Sequence, residues 1–170
     1  MTERIILVDE FDRPIGSAEK MEAHRTPKLH RAFSVFIHHN GYMLVQQRAM
    51  GKYHSGGLWA NACCSHPRED ESTELAVVRR LEQEIGVRGI KPVELFSFVY
   101  EHKFNDCLYE HEYDHVFAAD YSGALSANED EIMETKWIEF GELSSRLRKT
   151  PEEFAVWFLI AAPRVLAIKR

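Results

Sequence analysis

Two short runs decide how this chain folds: Asn-Ala-Cys-Cys-Ser-His-Pro at residues 61–67 and Arg-Arg-Leu-Glu-Gln-Glu-Ile-Gly-Val at residues 79–87. The first continues a strand predicted over residues 58–64, and the second ends a helix predicted over residues 71–86. A thiol, an imidazole and a helix-borne carboxylate therefore fall close together in the chain. These residue types indicate a metal site beside a reactive cysteine.

The helix over residues 71–86 is predicted from apolar residues that recur at helical spacing: Leu75, Val78, Leu81 and Ile85. Asp70 or Ser72 suits the N-cap, because a short polar side chain accepts a hydrogen bond from the first free amide groups. Gly86 suits the position after the last turn, where a left-handed backbone is common. Both ends of the helix are therefore marked in the sequence.

Strands are predicted on both sides of this helix, over residues 4–9, 32–38, 42–48, 58–64, 92–101, 108–119 and 134–139. Asn40-Gly41 lies between two of them and is a strong signal of a tight hairpin. A last helix is predicted from Thr150, with Pro151 in its first turn, and Pro163 is expected to kink or end it. The pattern predicts one α/β (α+β) domain over residues 1–170, with a mixed β-sheet core flanked by few helices.

The composition is ordinary for a soluble globular protein: 170 residues, 45% of them hydrophobic, with a net charge of −6. The negative charge argues against a general nucleic-acid binder. The longest apolar run, residues 154–162, is too short to span a bilayer, and no N-terminal segment has a signal-peptide layout. Cys63, Cys64 and Cys107 are too few for a disulfide framework, so we expect reduced thiols and a cytoplasmic protein.

The charges are unevenly spread along the chain. Residues 1–52 hold eight Lys or Arg against six Asp or Glu, whereas residues 101–134 hold one Lys against ten Asp or Glu. A cleft between such halves would suit an anionic ligand on one side and a metal ion on the other. For most of these acids, the alternative of a solvated acidic face is the better explanation.

The candidate metal ligands are His24, His30, His66, Glu110 and Glu112. Glu110 and Glu112 are two apart in a predicted strand, so they share one face and repel each other unless a cation or a proton joins them. Three imidazoles and two carboxylates suit Zn²⁺, Mn²⁺ or Mg²⁺. The alternatives are a solvated strand face for the Glu pair and an ordinary surface or core position for any single His. The remaining histidines are assigned to such positions: His38, His39, His54, His102, His111 and His115.

Glu84 and Cys64 each have two interpretations that the residue pattern leaves open. Glu84 and Arg80 lie one turn apart on the predicted helix. They form either an ordinary surface pair, or a carboxylate that holds Mg²⁺ on a phosphate beside an Arg that clamps it. Cys64 is either a small buried hydrophobe, as Cys63 is expected to be, or a reactive thiol near the metal.

Five segments of the chain carry a family resemblance. They are residues 19–24, residues 29–34, residues 48–52, Asn61-x-x-Cys64-x-His66-Pro67 and Glu110-x-Glu112. In this order and spacing they resemble the type I isopentenyl-diphosphate Δ-isomerases, a branch of the Nudix superfamily, over residues 3–160. The resemblance implies a Nudix-like fold and the reversible isomerisation of isopentenyl diphosphate to dimethylallyl diphosphate through a tertiary carbocation, in isoprenoid biosynthesis.

The Nudix box distinguishes this branch from the hydrolases. Of the generic box, the chain keeps Glu71, Arg79, Leu81, Glu84, Gly86 and Val87. Ser65 stands in place of the first Gly, Arg80 in place of one Glu and Gln83 in place of another. A Nudix diphosphohydrolase uses those carboxylates to hold cations and activate water, so their loss favours the isomerase over that alternative. A non-catalytic module that senses a diphosphate is the alternative outside enzymes.

The resemblance also implies a role for each site residue. Cys64 and Glu112 exchange protons with the two faces of the alkene, while Tyr100 hydrogen-bonds near Glu112 and Trp157 faces the cation with its ring. The implied ligands are His24, His30, His66, Glu110 and Glu112 for one ion (Mn²⁺, Mg²⁺ or Zn²⁺), and Glu84 for a Mg²⁺ that bridges to the diphosphate. Lys20, Arg48, Lys52 and Arg80 clamp the diphosphate. The implied partner is a small allylic or homoallylic diphosphate, without nucleic acid or membrane, bound by a monomer or weak homodimer.

Overall fold

Nine strands and four α-helices make up the fold in a computed structural model that describes residues 3–169. The strands are β1 Arg4–Val8, β2 Pro14–Glu19, β3 His30–His39, β4 Tyr42–Arg48, β5 Trp59–Asn61, β6 Cys63–Ser65, β7 Val93–Asn105, β8 Leu108–Asp120 and β9 Ile132–Glu139. The helices are α1 Lys20–Arg25, α2 Thr73–Ile85, α3 Phe140–Lys149 and α4 Val156–Lys169, with a 3₁₀ turn at Pro151–Glu153. These elements confirm the predicted mixed α+β class.

Strand β3 is the centre of the sheet. It pairs antiparallel with β1, β4 and β6, and parallel with β8, where His30 lies opposite Glu112. The pairs β1–β2, β4–β5, β4–β9 and β7–β8 are all antiparallel. The parallel register therefore brings the start of β3 beside the acidic residues of β8.

Alternate residues of β3 and β4 contribute to two hydrophobic cores. Phe36 and Met43 pack in the core that includes α3 and α4, whereas Val35 and Leu44 pack in the core that includes α2. Both faces of the central strands are therefore covered. This explains why their sequence is a nearly continuous apolar run rather than a clean alternation.

Residues 58–64 form two short strands instead of the single strand predicted from the sequence. β5 pairs with β4 and β6 pairs with β3, so the chain changes partner at Ala62. A strand that changes partner cannot keep one continuous hydrogen-bond ladder. The side chain of Asn61 secures the break by donating hydrogen bonds to the carbonyls of Val35 (3.2 Å) and Cys63 (2.6 Å).

The turn chemistry read from the sequence is confirmed at two places. Asn40 and Gly41 have positive φ values of 47° and 82° in the tight turn between β3 and β4. The Ser72 hydroxyl accepts a hydrogen bond from the amide of Leu75 at the start of α2, and Gly86 ends the helix with φ of 69°. These residue types supply the caps and the left-handed backbone that the connections need.

The spacing that predicted α2 does not by itself show which face packs inward. Leu75 and Val78, two of the four apolar residues in that pattern, are 66% and 41% exposed. The residues buried on this helix are Ala76, Val77, Leu81, Glu84 and Ile85. The helix is rotated so that a carboxylate, Glu84, points into the protein, an orientation that apolar spacing alone does not predict.

The C-terminal helix begins later than predicted and does not end at Pro163. Pro151–Glu153 forms only a 3₁₀ turn, because Phe154 is extended and its backbone bridges to Trp59 of β5. α4 then runs from Val156 to Lys169 through Pro163. Proline removes one helical hydrogen bond, and the apolar packing of α4 outweighs that loss. Within residues 3–169, no helix is long and apolar enough to cross a membrane.

Two helices were not predicted from the sequence. α1 has six residues and α3 has ten, and each begins after a Glu whose carboxylate accepts hydrogen bonds from the first amide groups. These N-caps are Glu19 and Glu139. Glu is an uncommon N-cap, which explains why the starts of these helices carry no clear signal. The short helix α1 matters for function because it carries His24.

Candidate active site and metal centre

Four buried side chains converge at one point of the fold. The ligating atoms of His24, His30, His66 and Glu112 all lie within 4.8 Å of one another. α1 carries His24, β3 begins at His30, His66 follows β6, and β8 carries Glu112. Four separate elements therefore bring together four of the five residues predicted to bind one metal ion.

The rings of His24 and His30 are oriented by backbone carbonyls in the way that metal ligands usually are. Nδ1 of His24 lies 2.7 Å from the carbonyl oxygen of Lys20, and Nδ1 of His30 lies 2.8 Å from that of Lys28. Each ring therefore donates its Nδ1–H to the backbone and keeps the lone pair of Nε2 for a ligand. Nε2 of His30 is buried and has no hydrogen-bond partner among residues 3–169. An imidazole held in this way by a backbone carbonyl is the usual form of a metal ligand.

The protonation states at the site also suit a cation. Burial lowers the pKa of His24 to about 4 and the pKa of His66 well below its ordinary value. Neutral imidazoles and an ionised carboxylate are the forms that bind a metal. The donor set therefore fits a divalent metal ion.

Among residues 3–169, this group of converging ligands does not include Glu110. One oxygen of Glu110 accepts a hydrogen bond from the Tyr100 hydroxyl at 2.6 Å, and the other lies 2.7 Å from Nε2 of His54. The Tyr100 hydroxyl also lies 2.9 Å from Glu112, near which the resemblance places it. Burial and the charge of Glu112 raise the pKa of Glu110 well above the usual range. A metal-binding role for Glu110 stays a prediction.

Strand β8 buries its acidic face. Glu110, Glu112 and Asp114 are 3%, 6% and 1% exposed, whereas the alternate residues Tyr109, His111, Tyr113 and His115 are only partly buried. The usual pattern of an apolar inner face is therefore reversed. A solvated acidic face describes most other acids of residues 101–134 but not these three. Carboxylates buried side by side need a proton, a cation or hydrogen-bond donors to offset their repulsion.

A cleft brings together the four predicted diphosphate-binding residues and three of the four predicted catalytic residues, all but Tyr100. Its empty volume is about 450 Å³, a figure that includes open solvent at its mouth. The predicted site residues that line it are Lys20, Arg48, Lys52, Cys64, His66, Arg80, Glu110, Glu112 and Trp157. Four cations beside a metal-binding group suit an anionic ligand whose other end reaches the thiol.

Cys63 and Cys64 have different surroundings. Cys63 is fully buried in the core against α2, whereas Cys64 lines the cleft. Burial raises the pKa of Cys64 to about 12, so this thiol keeps its proton at neutral pH. Nη1 of Arg48 lies 3.7 Å from its sulfur. Of the two adjacent cysteines, Cys64 is the one that can contact a molecule in the cleft.

Trp157 belongs to both the core and the cleft. It is 3% exposed and packs in the core that includes α3 and α4, yet part of its surface lines the cleft. Its indole N–H donates a hydrogen bond to Oδ1 of Asn61 at 3.0 Å. The guanidinium of Arg48 lies 5.0 Å from the ring centroid. The ring is therefore held by three kinds of contact and presents a fixed surface to the cleft.

Glu84 lies beneath the cleft in an ion pair with Arg80. The guanidinium contacts Oε1 of Glu84 through two nitrogens, with Nε at 3.1 Å. Glu84 is only 4% exposed, so the ordinary surface pair considered from the sequence is excluded. Burial raises the pKa of Glu84, against the charge of Arg80. A magnesium-binding role for Glu84 stays a prediction.

Three residues at the site were not predicted from the sequence. His54, assigned to an ordinary surface or core position, is buried, stacks on Phe104 and contacts Glu110. Asp114 accepts a hydrogen bond from the Ser34 hydroxyl at 2.8 Å. Asp114 lies two residues after Glu112, so the alternation of the strand could have placed it on the same face as the predicted ligands. Glu131 contacts two of the four cations of the cleft, Lys52 and Arg80, from a turn before β9 that the sequence pattern does not mark as part of a site.

The fold and the site define a class of protein. The NUDIX domain model matches residues 28–158, so the chain belongs to the NUDIX family. Among solved structures, a protein of Deinococcus radiodurans has a TM-score of 0.75 at 20% identity, covering 95% of this chain and 98% of that one. A MutT NUDIX hydrolase of Burkholderia pseudomallei has a TM-score of 0.65 at 19% identity, covering 81% and 98%. At these identities the likeness concerns the fold alone.

Proteins of higher identity narrow the class. Isopentenyl-diphosphate Delta-isomerase 2 of Aromatoleum aromaticum is 45% identical over 170 residues, which span 99% of this chain and 89% of that protein. Isopentenyl-diphosphate Delta-isomerase of Photobacterium profundum is 44% identical over 170 residues, spanning 96% and 92%. Within the NUDIX family, the chain therefore belongs with the isopentenyl-diphosphate Delta-isomerases, which confirms the resemblance.

Proposed function

We propose that this chain catalyses the reversible isomerisation of isopentenyl diphosphate to dimethylallyl diphosphate by proton exchange. The names of its relatives support the substrate. The observation that carries the proposal is that Cys64 and Glu112, a protonated thiol and a buried carboxylate, line one cleft beside four cations. Such a cleft can hold a diphosphate at its cations and exchange protons with the attached hydrocarbon.

The chemistry of the substrate explains why an acid and a base are both needed. An unactivated allylic C–H bond is far too weak an acid for a side chain to deprotonate it first. Instead, a proton adds to the terminal CH₂ carbon, the π electrons form the new C–H bond, and a tertiary cation remains. Loss of a proton on the other side of the cation returns an electron pair to a new C=C bond. One of the two groups, Cys64 or Glu112, donates the first proton to the substrate, and the other accepts the second proton from it. The substrate therefore keeps the same number of protons.

The walls of the cleft support a cationic intermediate. Phe33, Tyr53 and Trp157 line it with aromatic surface, which excludes water that would otherwise attack the cation. The Tyr100 hydroxyl, 2.9 Å from Glu112, supports the orientation of that carboxylate. At the polar end, the cations of the cleft bind diphosphate oxygens and so fix the distance between the alkene and the thiol.

Two divalent ions belong to this proposal. The first is assigned to His24, His30, His66 and Glu112, with Glu110 as a predicted fifth ligand, and Zn²⁺, Mn²⁺ and Mg²⁺ are the candidate ions. When bound, it supplies positive charge that orients Glu112 and tunes its proton affinity. The second, Mg²⁺, is assigned to Glu84 and the diphosphate. The buried lone pair of His30 Nε2 supports the first assignment.

An assay of the metal-loaded protein with isopentenyl diphosphate tests the function. Dimethylallyl diphosphate and released phosphate or pyrophosphate are followed in parallel. We expect the isomer to form without phosphate release, because Arg80 and Gln83 replace two carboxylates with which a NUDIX hydrolase activates water. Release of phosphate would favour the diphosphohydrolase, and neither product would favour a binding module.

Substitution of Trp157 tests the cation–π part of the mechanism. Trp157→Phe keeps an aromatic face and is expected to retain part of the rate. Trp157→Leu keeps apolar volume without a quadrupole, and is expected to raise the barrier by about 1–2 kcal/mol more, or about five- to thirtyfold in kcat. The measurement is the kcat of each variant with isopentenyl diphosphate.

The Phe and Leu variants are a matched pair for the contacts of Trp157. Both remove the hydrogen bond to Asn61, so the difference between them does not include that loss. Thermal melting checks that each variant is folded, because truncating a core aromatic residue also destabilises the protein. Equal turnover by the two folded variants would make Trp157 a packing residue and remove the cation–π role.

A further inference from the structure

Glu131 joins two of the cations that line the cleft. Its Oε2 contacts Nζ of Lys52, and its Oε1 lies 3.3 Å from Nη2 of Arg80. The three side chains keep 19–22% of their surface exposed. Because these side chains are largely buried, salt screens the interaction between their charges less than it screens an exposed ion pair. Glu131 therefore occupies positions on Lys52 and Arg80 that an anionic ligand would otherwise take.

Backbone hydrogen bonds place Glu131 at these cations. Its carbonyl accepts a hydrogen bond from the amide of Ala49 at 2.9 Å, in the segment that leads to Lys52. Its amide donates to the carbonyl of Asn128 at 3.0 Å, and the amide of Asn128 donates to the carbonyl of Glu84 at 2.8 Å. The turn that carries Glu131 is thus attached both to the loop after β4 and to the end of α2. The carboxylate position is built into the fold.

Around Glu131, the positive and negative side chains pair with one another when no ligand is bound. Lys52 and Arg80 are paired with the carboxylates of Glu84 and Glu131. Burial alone would raise the pKa of Glu131, but Lys52 and Arg80 hold it below the usual value, so this side chain is ionised at neutral pH. A bare diphosphate that binds the same cations has to approach two carboxylates. A divalent cation that arrives with the diphosphate offsets that repulsion.

We infer that Glu131 makes the site selective for the magnesium complex of a diphosphate over the free diphosphate. Glu131 competes with the free anion for Lys52 and Arg80, and this competition is relieved when Mg²⁺ supplies the opposing charge. The residue is thus a determinant of ligand specificity. The inference rests on the proposed function, because it takes Lys52 and Arg80 as part of the diphosphate site.

Binding of inorganic pyrophosphate to the protein loaded with Zn²⁺ or Mn²⁺ tests this inference. Calorimetric titrations compare the wild type with Glu131→Gln, each in magnesium-free buffer and with added Mg²⁺. Without Mg²⁺, the variant is expected to bind pyrophosphate about tenfold more tightly than the wild type, because one competing charge is gone. The gain in affinity on adding Mg²⁺ is expected to be smaller in the variant by a similar factor.

A matched control separates this effect from a general change in charge. Glu134→Gln removes the same charge at an exposed position of β9, only three residues along the chain, and is expected to leave both affinities unchanged. Thermal melting establishes that both variants fold. Glutamine keeps an oxygen acceptor for Lys52, so the turn is expected to retain its structure.

Three outcomes overturn the inference. Weaker binding by Glu131→Gln in magnesium-free buffer would show that Glu131 mainly positions Lys52 and Arg80. Unchanged binding there, with only the magnesium-dependent gain lost, would make Glu131 a ligand of the ion. A wild type that binds no pyrophosphate even with Mg²⁺ would remove the site itself. Normal pyrophosphate binding by a protein that does not isomerise isopentenyl diphosphate would count against the isomerase proposal alone.

Discussion

Replacement of Cys64 by alanine is expected to lower the kcat of isopentenyl diphosphate isomerisation by about 10²- to 10⁴-fold, the range for removing a group that transfers a proton. The thiol lines the cleft and holds its proton at neutral pH. Among residues 3–169, neither other cysteine can replace it. Cys63 faces the core against α2, and Cys107 is exposed in the turn between β7 and β8.

Cys63→Ala is the matched control, because it removes the adjacent thiol from the same strand. It is expected to keep kcat within about threefold and to lose about 1–2 kcal/mol of stability, since a small buried group is deleted from a packed core. Steady-state kinetics and thermal melting of both variants provide the measurements. An active Cys64→Ala enzyme beside an inactive but folded Cys63→Ala enzyme would reverse the assignment.

Replacement of His66 by alanine is expected to weaken binding of Zn²⁺ or Mn²⁺ by at least about a hundredfold, because second-shell changes alone cost up to about that much. His66 lies 3.0 Å from Glu112 at the centre of the converging group. Competition with a chelating dye measures the affinity. Since the ion binds the folded state, its removal from the wild type should lower Tm, whereas the melting of His66→Ala should not respond to metal.

His39→Ala is the control for the loss of an imidazole. His39 ends β3, hydrogen-bonds Asp120 at 2.7 Å and lies outside the converging group, so metal affinity is expected to stay unchanged. Glu110→Gln, measured in parallel, tests the fifth ligand: weaker metal binding would support that role. If His66→Ala binds the ion as the wild type does, the metal centre is assigned to the wrong residues.

Much of the local structure was predictable because its causes lie within a few residues. Asn40 and Gly41 determine a hairpin by the positive φ values that the turn needs, and Ser72 and Gly86 mark the ends of α2 through its first and last hydrogen bonds. The spacing Asn61-x-x-Cys64-x-His66 indicated the family and the reactive thiol. These signals do not depend on the rest of the chain.

Other features depend on contacts between distant segments. The parallel register of β3 and β8 sets His30 against Glu112, although strands β4 to β7 lie between them in the sequence. The break of residues 58–64 follows from two different partner strands. Pro151 predicts a helix start, yet pairing with β5 delays α4 to Val156. In the last two cases long-range pairing outweighs a local preference.

The sequence by itself determined the family, the mixed α+β class and most of the strands, and it indicated the candidate site residues, because those depend on residue identity and spacing. Only the tertiary structure decided which face of β8 is buried, how Glu84 turns inward, and that His54 and Glu131 belong to the site. A two-residue alternation defines two faces but does not say which one meets the protein interior. Burial and charge pairing are properties of the assembled fold, since the atoms that cover or neutralise a group come from elsewhere in the chain.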